Sequence, residues 1–132
     1  EGLKGPLNEL GARQLDAMRT APWFQAEGRN FGESIALMHC ELSEALDEWR
    51  KGSPVNEVYY DEVMTKVSAT TPGHTDKPEG VPIEFADLIL RVLLECAREG
   101  IDIDEAIRLK MYYNNGRQWK DGQHLRVNPD AT

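Results

Sequence analysis

Basic residues are scarce in this chain: Lys and Arg total 15 against 23 Asp and Glu, a formal net charge of −8. Neither a basic patch nor a basic amphipathic helix appears, so neither a nucleic-acid nor a membrane partner is expected. Cysteine is also sparse, with only Cys40 and Cys96. Each sits inside an apolar helical run, in no metal-binding spacing and no redox motif, which predicts two buried free thiols. There is no signal peptide and no apolar run of about 18 residues, and the expectation is a cytoplasmic protein. Also missing are G-x-S-x-G and the Walker A glycine loop. No side-chain nucleophile and no glycine cradle for phosphate is evident.

What is present is an ordinary globular composition, 40% hydrophobic and 29% charged over 132 residues, which fits a single domain, 1–132. Leu7, Leu10, Leu15 and Met18 fall near helical spacing in residues 7–20, and Ala21-Pro22 stops that run. A connector, 22–32, carries Trp23, Phe24 and Phe31, aromatics that anchor a loop to a core or form a wall for a nucleotide base. A second helix is predicted from Gly32 to Arg50, closed by Lys51-Gly52-Ser53-Pro54. The stretch 52–80 is an irregular insert with Pro54, Pro72, Gly73, Pro78 and Gly80. Within it, 57–67 (EVYYDEVMTKV) fits a short strand or hairpin arm and equally one or two helical turns.

A third helix spans Val81 to Glu99, with Pro82 in its first turn and Gly100 after its end. Asp102-x-x-Glu105 has capping-box form and opens a fourth helix that runs to about Asn115. Residues 118–132 are polar and read as a tail. The expected fold is all-α, an antiparallel four-helix bundle with the insert between helices 2 and 3.

The chemistry-bearing residues are two acidic pairs. Glu41 and Glu44 lie in IALMHCELSEALDEW, and Glu84 and Asp87 lie in VPIEFADLILRVLLECA. Residues three apart share a helix face, so each pair points two carboxylates at one place. Between Val81 and Ala97 the only charged residues are Glu84, Asp87, Arg91 and Glu95, all on one stripe. In helix 2, Ile35, Met38, Leu42, Ala45, Leu46 and Trp49 form the apolar face, with Glu41, Glu44 and Glu48 bordering it. Packing the two helices together would gather four carboxylates in one pocket. Like charges in a low dielectric stay ionised there only with a cation among them. Oxygen-only donors suit Mg²⁺, with Mn²⁺ as the alternative ion, and not Zn²⁺.

The combination E-L-S-E (41–44), E-F-A-D (84–87), G-I-D-I-D-E-A-I and K-M-Y-Y-N-N-G-R (110–117) resembles the MazG-like, all-α nucleoside triphosphate pyrophosphohydrolases. The resemblance runs from about Phe31 to Arg117, interrupted by 52–77. It implies Mg²⁺-dependent hydrolysis between the α and β phosphates, releasing a nucleoside monophosphate and pyrophosphate. It implies Glu41, Glu44, Glu84 and Asp87 as metal ligands and catalytic residues, and Lys110 and Asn114 as nucleotide contacts. Arg117 would add positive charge for the phosphates, and Trp23 is the candidate base wall. Family members commonly pair their bundles, so a homodimer or homotetramer is expected. Lys120-Asp121-Gly122-Gln123-His124 only partly matches the basic glycine-rich segment that often follows the fourth helix in the family. The reading from another class is a non-catalytic nucleotide-binding or helical dimerisation protein of the same fold. A di-iron bundle needs Glu-x-x-His, and neither acidic pair has histidine three residues on.

Overall fold

The computed structural model describes residues 2–21, 30–60, 77–120 and 123–126, the last two stretches for their backbone only from residue 117 onward. Four helices dominate these residues: α1 (Pro6–Met18), α2 (Phe31–Arg50), α3 (Val81–Glu99) and α4 (Ile103–Asn115). Two short antiparallel sheets accompany them. Tyr59–Tyr60 (β1) pairs with Pro78–Glu79 (β2), and Arg117–Lys120 (β3) pairs with Gln123–Arg126 (β4). No helix of the described residues is long and apolar enough to cross a membrane.

The most apolar helix, α3, is the hub, packed against α2 on one side and α1 on another, while α4 packs against α1. Pro82 opens α3 and Gly100 closes it in the left-handed conformation, φ 70°, as the sequence signals imply. Gly11 lets α1 approach closely, because a Cβ there would lie 2.6 Å from the carbonyl oxygen of Leu93. Gly80, at φ 119°, is also a required glycine: a side chain at that position would run into the carbonyl of Glu57. That contact seats the start of the insert against the head of α3.

The N-termini of α1 and α4 cap each other. The Asp104 carboxylate accepts from the backbone N–H groups of Leu7 at 3.4 Å and Asn8 at 2.7 Å. Buried Asn8 donates to Asp102 at 2.8 Å and accepts from the N–H of Ile103 at 3.0 Å. Asp102 also caps its own helix through the N–H of Glu105. Only this half of the expected capping box forms, since the Glu105 carboxylate turns to Arg108, 2.6 and 2.8 Å away.

Three expectations need correction. Cys96 is buried but Cys40 is exposed, because the inward face of α2 is set by its neighbour Glu41 and not by Cys40. Residues 117–120 and 123–126 pair as antiparallel strands, where the sequence suggested a plain polar tail. The apolar face assigned to α2 is largely at the surface, with Leu42 50% and Trp49 59% exposed, whereas the inward stripe is Ser34, Glu41, Ala45 and Glu48. Those inward acids are tolerated because each has a partner on a facing element, described next. In the insert, Tyr59–Tyr60 takes the strand alternative, and 61–76 lies outside the described residues.

Candidate metal centre

Helices α2 and α3 run antiparallel, as their cross-contacts record. The Ser34 hydroxyl donates to Glu95 at 2.8 Å, Arg91 Nε donates to Glu41 at 2.5 Å, and Glu44 shares a hydrogen bond with Glu84. Rising numbers on one helix meet falling numbers on the other. The two acidic pairs are thereby set face to face.

Glu41, Glu84 and Asp87 each place a carboxylate oxygen within 4.8 Å of the others. Glu41 is the most enclosed of the three, 8% exposed. The fourth acid, Glu44, is exposed and reaches this group through its hydrogen bond to Glu84. Burial, that hydrogen bond, and the charges of Glu44, Asp87 and Glu41 raise Glu84 to about 7, so the pair holds a proton in mildly acidic solution. Asp87 is also raised, by burial and by Glu41, with Arg91 and Lys77 pulling the other way.

Glu84 belongs to a second acidic group as well, with Glu48 and Glu79. Glu48 has other obligations: it accepts from the Tyr59 hydroxyl at 2.8 Å and the Ser53 hydroxyl at 3.4 Å, and lies 3.6 Å from the Lys51 ammonium. It ties the end of α2 to β1. Glu79 is paired with Lys77 at 2.9 Å. The less encumbered group, Glu41, Glu84 and Asp87, is the better cation site. Neither group contains histidine or cysteine, and an oxygen-only set at this spacing fits a hard divalent ion such as Mg²⁺ or Mn²⁺.

All four sequence-assigned acids therefore meet between α2 and α3. The assigned nucleotide contacts stand elsewhere on the chain. Lys110 and Asn114 are exposed on α4, the helix that packs on α1, and the Lys110 ammonium sits 5.1 Å from the centroid of the Tyr113 ring. Arg117 begins β3, where only the backbone is described, and Trp23 lies outside the described residues. Sequence reasoning missed Glu79 and the pairing of Arg91 with Glu41. Arg91 was detectable in principle, one turn beyond Asp87 on the same stripe. Comparison of the chain with protein-family models, curated proteins and solved structures finds no match.

Proposed function

We propose that the chain is a Mg²⁺-dependent nucleoside triphosphate pyrophosphohydrolase of the MazG-like all-α class. The observation that carries this reading is the convergence of Glu41, Glu84 and Asp87 from two helices, with Glu44 hydrogen-bonded to Glu84. When bound, the divalent ion supplies charge neutralisation for a triphosphate and a more acidic water for attack on phosphorus. Glu41 and Asp87 would hold the ion. Glu84 would join them once it has lost its proton, held in place by its hydrogen bond to Glu44. The product pair is a nucleoside monophosphate and pyrophosphate. Lys110, Asn114 and Arg117 are the proposed contacts to phosphate and sugar, and Trp23 the proposed base wall.

The working unit is proposed to be an oligomer of this chain, a dimer or tetramer in which bundles pack as antiparallel four-helix units. Two features support it. The surface row Leu42, Leu46, Trp49 and Phe85 lines one groove across α2 and α3. Helix α4 has no buried residue although it carries Ile107, Leu109, Met111 and Tyr112. Apolar faces of that extent are characteristic of surfaces that a second copy covers. Light scattering at micromolar concentration should give at least twice the 14.9 kDa chain mass; a monomer contradicts the proposal.

Incubation with each of the nucleoside triphosphates and Mg²⁺ should release pyrophosphate from at least one, with none in EDTA. Lys110→Ala should raise KM in the same assay. Nucleotide binding with no turnover would favour the non-catalytic member of this fold, and orthophosphate as the first product would overturn the α–β cleavage.

A further inference from the structure

Among the groups that the proposed reaction does not yet use, Arg91 stands out for where it is held. Its Nε donates to Glu41 at 2.5 Å, one turn beyond Asp87 on α3. That ion pair and the charge it exerts on Asp87 are its only interactions among the described residues, so both terminal Nη groups have no hydrogen-bond partner there. The side chain is 38% exposed, while its partner Glu41 is almost enclosed. One edge of the guanidinium is thus fixed to the acidic cluster, and the other edge meets no hydrogen-bond partner among the described residues. A guanidinium cannot discharge by losing its proton, and its planar fork matches two oxygens of a phosphate group.

We propose that Arg91 is a phosphate-binding residue of this site, anchored through Nε to Glu41 and offering its Nη groups to the polyphosphate chain of the substrate. The inference rests on the metal-site reading of Glu41, Glu84 and Asp87 and adds an anion contact to it. A site made of carboxylates alone would repel a triphosphate wherever the bound cation does not shield it. Arg91 supplies a fixed positive charge on the same stripe, and its bond to Glu41 holds it in place before substrate arrives, which lowers the ordering cost of binding.

The test uses calorimetry on the full chain, with Mg²⁺ alone and then with pyrophosphate at saturating Mg²⁺. Arg91→Gln should weaken pyrophosphate binding by about ten- to a hundredfold, the range for a charge-assisted contact, and leave Mg²⁺ affinity within about threefold. Arg91→Lys keeps the charge and loses the fork. It should fall between the two and also decides the matter if the Gln variant fails to fold. Wild-type pyrophosphate affinity in either variant overturns the inference while the metal site stands. Loss of Mg²⁺ affinity in proportion to pyrophosphate affinity overturns it as well, since Arg91 would then act only by orienting Glu41. Absence of Mg²⁺ binding in the wild type removes the metal-site reading itself, and the inference with it.

Discussion

Glu44→Gln should lower pyrophosphate release by roughly a hundredfold or more, the scale on which metal-site partners act, while the four helices stay folded. The substitution keeps the shape of the side chain and removes one charge and one proton acceptor. Glu44 is exposed and contributes no packing to the core, so a folding defect is not expected. Its hydrogen bond to Glu84 is what links it to the site. Above about pH 7, where Glu84 is ionised, the variant should be the more stable of the two without metal, because one repulsive charge beside Glu84 is gone. A variant with wild-type turnover would remove Glu44 from the mechanism, and an unfolded one would make it structural.

The second large effect is a flattening of the pH dependence of stability on adding Mg²⁺. Glu84 is raised from 4.5 to about 7, chiefly by burial and then by Glu44. A carboxylate with a raised pKa binds its proton more tightly when folded, so the unfolded chain holds fewer protons between those values. Stability without metal therefore falls as pH rises from about 4.5 to about 7. Asp87 is raised too and acts with the same sign. Asp102, lowered by Asn8 and the N–H of Glu105, and Glu105, lowered by Arg108, have the opposite sign and matter only as pH falls below their ordinary values of 3.8 and 4.5. Mg²⁺ requires ionised ligands and competes with the Glu84 proton, so its affinity should rise with pH up to about 7 and level off above. At a hundredfold excess over its Kd it should add about 2.7 kcal/mol, or about 10 °C in melting temperature for a chain of this size. Melts at pH 5, 6, 7 and 8, in EDTA and in Mg²⁺, read both slopes. Parallel curves would mean that no cation binds at Glu84.

The helices were legible where local chemistry and packing agree. Pro82 and Gly100 frame α3, Asp102 caps α4, and the acidic stripe on α3 does face α2. The inward stripe of α2 was not legible. Periodicity picks out Leu42, Leu46 and Trp49 as the side to bury, but in the single chain the side that carries Glu41 and Glu48 is turned in. Periodicity reports that a face is apolar and is silent on whether its own chain or another copy covers it. The tail was misread for a different reason. Arg117–Lys120 and Gln123–Arg126 carry one apolar residue each, Trp119 and Leu125, too few for alternation to give a strand signal. The intervening Asp121-Gly122 was the usable mark, since Asp-Gly favours two-residue hairpin loops. Side-chain pairings such as Arg91 with Glu41 and Tyr59 with Glu48 join residues 50 and 11 positions apart. No local pattern encodes them.

The central claim is that Glu41, Glu84 and Asp87 form a divalent cation site. It is tested most directly by growing crystals, soaking them in Mn²⁺ near pH 8 and computing an anomalous difference map. The account predicts a peak between α2 and α3, with carboxylate oxygens of Glu41, Glu84 and Asp87 about 2.0–2.3 Å from it, and its loss from crystals of Asp87→Asn. A map with no peak at that position, or with one held only by Glu48 and Glu79, would contradict it.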